Sequence, residues 1–177
     1  VFPPMTAISE TLGEFAADLR DDAIPSEVRA RARAPILDAV GIALASNHFD
    51  FADKTLRGLR ALSTDGSAPI IGRKERLPLR DAAVMNGLLI HGLDYDDTHV
   101  AGIVHPTASA FPAALAAATL AGASGREMLT AFILGIEASA RIGAVAKGGF
   151  HQVGFHPTSV AGIFGCTLIA GRLFGLN

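Results

Sequence analysis

His105-Pro106-Thr107-Ala108-Ser109-Ala110-Phe111-Pro112-Ala113-Ala114-Leu115-Ala116-Ala117-Ala118-Thr119-Leu120-Ala121 is built from small and apolar residues and carries no charge. Its opening tripeptide returns at His156-Pro157-Thr158, again ahead of an uncharged, glycine-rich run that reaches Gly171. Proline suits the first helical position, because its missing N–H would have no partner there and its φ is already helical. Each run is therefore read as a helix that starts at His-Pro-Thr, the first continuing to Ala123 and the second to Gly175. Side chains this small allow helix axes to approach closely, so the fold expected around them is an all-α bundle.

Outward from these two runs, helical spacing and Gly/Pro/Asp/Asn punctuation predict about seven helices and almost no sheet. The first covers Thr6 to Arg20. The second starts at Pro25, carries the stripe Val28, Ala32, Ile36, Ala39 and Ala43, bends at Pro35 and ends near Asn47. Asp50 is expected to cap a third that reaches Leu62, and Ala68 to Gly72 reads as a strand without an obvious partner. Pro78 opens a fourth whose stripe Val84, Leu88 and His91 leads into an acidic run. Ser124 and Glu127 form a capping box for a sixth helix, which carries a Glu137–Arg141 pair and stops at Lys147-Gly148-Gly149. The stretch from Phe150 to Phe155 is read as a loop. The whole chain, 1–177, is expected to be one helical domain.

Composition narrows the function. Half of the 177 residues are hydrophobic, 18% are charged and mean hydropathy is positive, which excludes a disordered chain. The 15 basic and 17 acidic residues leave a formal charge of −2, with no basic run to attract nucleic acid. The uncharged stretches from Val100 to Gly125 and from Gly148 to Gly171 approach the length of a membrane span. Their prolines, histidines and hydroxyls, and the lack of aromatic belts, argue against spanning. The single cysteine, Cys166, lies in an apolar run and reads as a packed, reduced thiol. The acidic residues Glu10, Glu14 and Asp18 in the first twenty positions do not fit a secretion signal, so a cytoplasmic location is expected.

Two constellations carry chemistry. A histidine at the start of a helix lies beside free N–H groups and the positive end of the dipole, where an anion is favoured and an imidazole stays neutral. Either tripeptide alone reads as a cap. Their repetition points instead to His105 and His156 converging as acid and base at the wall of a carboxylate pocket, within about 10 Å of each other. The second constellation is His91-Gly92-Leu93-Asp94-Tyr95-Asp96-Asp97-Thr98-His99. On a continuing helix His91 and Asp94 would share a face, while Asp96 and Asp97 would cap the next segment and face water. His91, Asp94, Asp97 and His99 could ligate a cation, but the spacing fits neither the zinc nor the calcium motif, and no metal or other cofactor is expected. The basic group Arg73, Lys74, Arg76 and Arg80 reads as solvated surface, with one member able to reach an acidic substrate.

Asn86-Gly87 through His91, Asp94-x-Asp96-Asp97-Thr98, His105-Pro106, Pro112-Ala113-Ala114-Leu115 and Gly154-Phe155-His156-Pro157-Thr158 with Gly165 together resemble the MmgE/PrpD family, from about residue 6 to the end. That family includes 2-methylcitrate dehydratase, cis-aconitate decarboxylase and iminodisuccinate epimerase. The resemblance implies a large helical domain, a smaller α/β domain, a homodimer, and metal-free acid–base chemistry on small di- or tricarboxylates. By motif position it makes His105 and His156 catalytic and assigns Asp94 and Thr98 to orienting the substrate, with His91 beside them as a substrate-binding residue. A 2-methylcitrate dehydratase-like hydro-lyase is the first reading. An epimerase of an amino- or imino-dicarboxylate and a non-catalytic carboxylate-binding or dimerisation module are the alternatives. The family's lysine, tyrosine and α/β domain would lie beyond Asn177, so the chain alone is expected to be a poor catalyst.

Overall fold

A computed structural model describes residues 7–176. Its order is α1 (Ile8–Asp18), a 3-10 turn (Asp21–Ala23), α2 (Ser26–Ser46), α3 (Asp50–Leu62), β1 (Ala68–Pro69), β2 (Arg76–Leu77), α4 (Leu79–His91), α5 (Pro106–Ala121), α6 (Gly125–Val145), α7 (Gly149–Gln152) and α8 (Pro157–Leu173). The architecture is all-α, with seven long helices, one extra turn and a two-stranded ladder among the described residues. The predicted start at Thr6 lies outside the described residues.

Pro106 and Pro157 occupy the first helical positions, as expected. Pro25 and Pro78 each stand one residue earlier, at the cap, and α2 continues as helix through Pro35. Asp50 is not a cap either: it is the first residue of α3 and pairs with Lys54 one turn on. The Ala68–Gly72 strand does have a partner, since Ala68 pairs with Leu77 and Pro69 with Arg76 in antiparallel register. Asn86, 2% exposed, fastens this hairpin to α4 by accepting from the Ile71 amide and donating to the Pro69 carbonyl. Ser124 and Glu127 form the expected capping box, and α7 is a helical turn where a loop was expected.

The core confirms the reading from small residues. Ala39, Ala43, Ala114, Ala131 and Ala161 are almost fully buried around Met85, Leu89, Ile90, Phe132 and Ile169. At the α6–α8 contact Gly135 faces Ile169, and Gly165 faces Ser139 and the Gly135 carbonyl. A methyl group on Gly165 would come within 2.7 Å of that carbonyl oxygen. α6 is long and apolar enough to cross a membrane, but half of its apolar window is buried against the other helices, as in the core of a bundle.

Candidate active site

Three helix ends meet at one place. The C-terminus of α4 brings His91, and the N-termini of α5 and α8 bring His105 and His156 as their cap residues. The rings of His91 and His105 have centroids 4.9 Å apart, those of His91 and His156 5.7 Å, and those of His105 and His156 6.0 Å. His151 on α7 adds a fourth ring, 5.7 Å from His156. The two His-Pro-Thr segments touch directly, because the His105 amide donates to Thr158 Oγ1 at 2.9 Å.

The acidic run folds differently from the helical reading. α4 ends at His91, and Asp94 adopts a left-handed backbone (φ 51°) that reverses the chain. Asp96, and not Asp94, therefore returns to His91: its two carboxylate oxygens lie 3.0 and 3.2 Å from His91 Nδ1. The same Oδ1 stands 3.4 Å from His105 Nδ1, and Thr98 Oγ1 is also 3.4 Å from that nitrogen. Asp96 is only 6% exposed, so it does not face water. Asp97 does cap α5, accepting from the Thr107 amide and hydroxyl, and burial raises its carboxyl pKa. Asp94 is well exposed, with Oδ1 3.8 Å from His105 Nε2.

Electrostatics separate the histidines. The hydrogen bond to Asp96 holds His91 above the usual imidazole range, against the effect of its burial. Burial, and then the neighbouring His91, His105 and His151, hold His156 below it. His156 Nδ1 accepts from the Thr158 amide, so the proton of its neutral ring sits on Nε2.

The cation ligands considered from the sequence are not gathered as a set, because His99 Nδ1 accepts from the Gly102 amide and Asp97 is engaged by Thr107. His91, Asp94, Asp96 and His105 do bring one ligand atom each within 4.8 Å of one another, so these four are the residues that could hold an ion. Lys74, Arg76 and Arg80 of the basic group are exposed, as expected, with Arg80 beside Asp81, whereas Arg73 is half-buried and pairs with Asp53 and Asn47; none of the four lines the cleft beside the histidines.

Beside the histidines opens a cleft of about 840 Å³ between α4, α5 and α8, and among the described residues no lysine or arginine lines it. Val84, Leu88 and His91 form one wall. This stripe therefore faces the cleft, while Ala82, Met85 and Leu89 on the other side of α4 face the core. Cys166 also lines the cleft, with Sγ on the Ser109 carbonyl and its thiol pKa raised by burial, consistent with a packed thiol. Sequence reasoning missed Asp96 and His151. His151 lay in a stretch read as loop, five residues before His156, with no periodicity to mark it.

Comparison with known proteins gives the chain's family. Cis-aconitate decarboxylase-like protein oryM of Aspergillus oryzae is 26% identical over 98% of this chain and 38% of its own length. The cis-aconitate decarboxylases of Mus musculus and Homo sapiens are 28% and 29% identical, again over 98% of this chain and over 36% and 37% of theirs. The chain thus spans somewhat more than a third of the length of these relatives. The MmgE/PrpD N-terminal domain matches residues 10–177, and this chain belongs to the MmgE/PrpD family.

Proposed function

We propose that this chain forms the histidine-bearing part of a metal-independent lyase site acting on a small polycarboxylate, with decarboxylation of a cis-aconitate-like substrate as the reaction. The observation that carries this reading is the convergence of His91, His105 and His156 at two helix N-termini. The positive ends of the α5 and α8 dipoles favour a carboxylate there. The names of the relatives favour decarboxylation over dehydration.

Loss of carbon dioxide leaves an electron pair that delocalises toward a neighbouring carboxylate, and a proton must then reach carbon. His156 presents Nε2–H and suits that delivery, while His105 lies close enough to take or return a proton. Asp94 and Thr98 flank His105 and orient the ring or the substrate.

Dehydration of 2-methylcitrate is the second reading. The apolar wall of Val84, Leu88 and Ile163 beside the histidines offers a place for a methyl group. The gene product carrying this chain, assayed on cis-aconitate, citrate and 2-methylcitrate, is expected to release carbon dioxide from the first. His156→Ala and His105→Ala should each lower kcat by about 10²-fold or more, with EDTA without effect. Turnover that survives both substitutions would overturn the proposal. Conversion of 2-methylcitrate alone, without carbon dioxide, would select the second reading.

A further inference from the structure

A carboxylate substrate entering this cleft meets no lysine or arginine from the described residues that line it. Helix dipoles supply partial charges only. The group best placed to add a full charge is His91, whose ring lines the cleft while its Nδ1 is held from behind.

Asp96 does the holding. Its side chain is 1% exposed, it lies within hydrogen-bond reach of His91 Nδ1 through both oxygens, and no arginine or lysine among the described residues is paired with it. A buried carboxylate needs a positive partner, and His91 Nδ1 at 3.0 Å is nearer to it than His105 Nδ1 at 3.4 Å, so the geometry favours an imidazolium at His91 with Nδ1–H on Asp96. With Nδ1 committed, Nε2 has no hydrogen-bond partner among the described residues, and His91 lines the cleft.

We propose that Asp96 is a positioning residue that keeps His91 as the resident cation of the cleft, with Nδ1–H on the Asp96 carboxylate and Nε2–H offered to a substrate carboxylate. This deepens the polycarboxylate reading above and rests on it. The groups facing His91 are Asp96 and Asp94 from the loop after α4, His105 from the start of α5 and His156 from the start of α8. The two carboxylates favour its charge. The elevated His91 titration agrees with the contact, with the Asp96 hydrogen bond as its largest cause. The role differs from that of His156, whose Nδ1 is capped by an amide and which is held neutral.

The experiment has one arm without substrate turnover and one with it. In the gene product labelled with [15N]histidine, His91 is expected to titrate above the ordinary imidazole value of about 6.5, with Nδ1 protonated throughout. Asp96→Asn should bring that titration down, and Asp96→Glu should keep it raised. Binding of the unreactive probe tricarballylate, measured by calorimetry, should weaken by about 10- to 100-fold in Asp96→Asn. KM should rise in parallel, and kcat should fall as well, because Asp96 Oδ1 also faces His105 Nδ1 at 3.4 Å.

A wild-type His91 that titrates at or below the ordinary value overturns the proposal, and this result stands even where Asp96→Asn does not fold. So does a variant that loses kcat with KM and tricarballylate binding unchanged, since the pair would then serve proton transfer. Should the wild-type protein turn over none of the three tricarboxylates, the titration and the tricarballylate binding still decide the role of Asp96. The failure would then belong to the assigned reaction.

Discussion

Replacing Gly165 by alanine tests the close approach of α6 and α8, on which the placement of His156 depends. Gly165 sits inside α8, where alanine is intrinsically preferred by about 1 kcal/mol. Against that gain, the added methyl would press on the Ser139 hydroxyl and lie 2.7 Å from the Gly135 carbonyl oxygen. Ser139 is fully buried, and the carbonyl belongs to the backbone of α6, so neither can step aside without moving a helix. Overpacking of this kind costs about 1–3 kcal/mol, and a backbone obstacle argues for the upper end, leaving a net loss of about 2 kcal/mol. Gly41, in the middle of α2, is the internal control: a methyl there meets nothing within 4 Å, so Gly41→Ala should stabilise by about 0.5–1 kcal/mol. In thermal unfolding the two variants should lie on opposite sides of the parent, separated by about 6–12 °C for a protein of this size. Equal upward shifts in Tm would refute the packing argument, because they would show that α6 and α8 do not meet at Gly165.

Thr158→Val keeps the amide that caps His156 but removes the acceptor of the His105 N–H. The unfolding free energy should fall by about 1–3 kcal/mol in urea titration, and the His105 amide should lose exchange protection. For pH, the signs of the two histidines oppose each other. His91 is raised in the fold, so its contribution is present below about 6.5 and is lost as pH rises through its elevated value. His156 is lowered, so it weakens the fold as pH falls from about 6.5 through its depressed value. The stability difference between parent and His91→Gln, from urea midpoints, should therefore be larger at about pH 6 than at about pH 9.

The helices were legible because their signals are local. A proline at a first turn, a Ser-x-x-Glu box and a stripe at spacings of three and four each act within a few residues, and seven long helices follow from them. Which face of a helix meets the core is not local. On α4 both Val84-Leu88-His91 and Ala82-Met85-Leu89 recur at helical spacing, and only packing decides that the first of these stripes lines a cleft. Two of the site histidines were legible through the repeated tripeptide, which marks two equivalent helix starts. Asp96 was not, because the reading assumed a helix continuing past His91, where position i+3 would meet it. The chain instead reverses at Asp94, and a left-handed residue in the middle of an acidic run leaves no trace in composition or period. The two-residue ladder escaped for the related reason that its second strand, Arg76–Leu77, is too short to show alternation.

The bond from the His105 amide to the Thr158 hydroxyl joins positions 53 residues apart, and it bears on how the molecule comes to be made. During synthesis the first of the paired helix starts emerges well before the second, and until α8 docks its amide must find water or another acceptor. Unlike a site carried on one loop, this one cannot exist in an early, partly folded species. The constellation of histidines is completed only when α8 docks, so the rings of His91, His105 and His156 come together no earlier than that step.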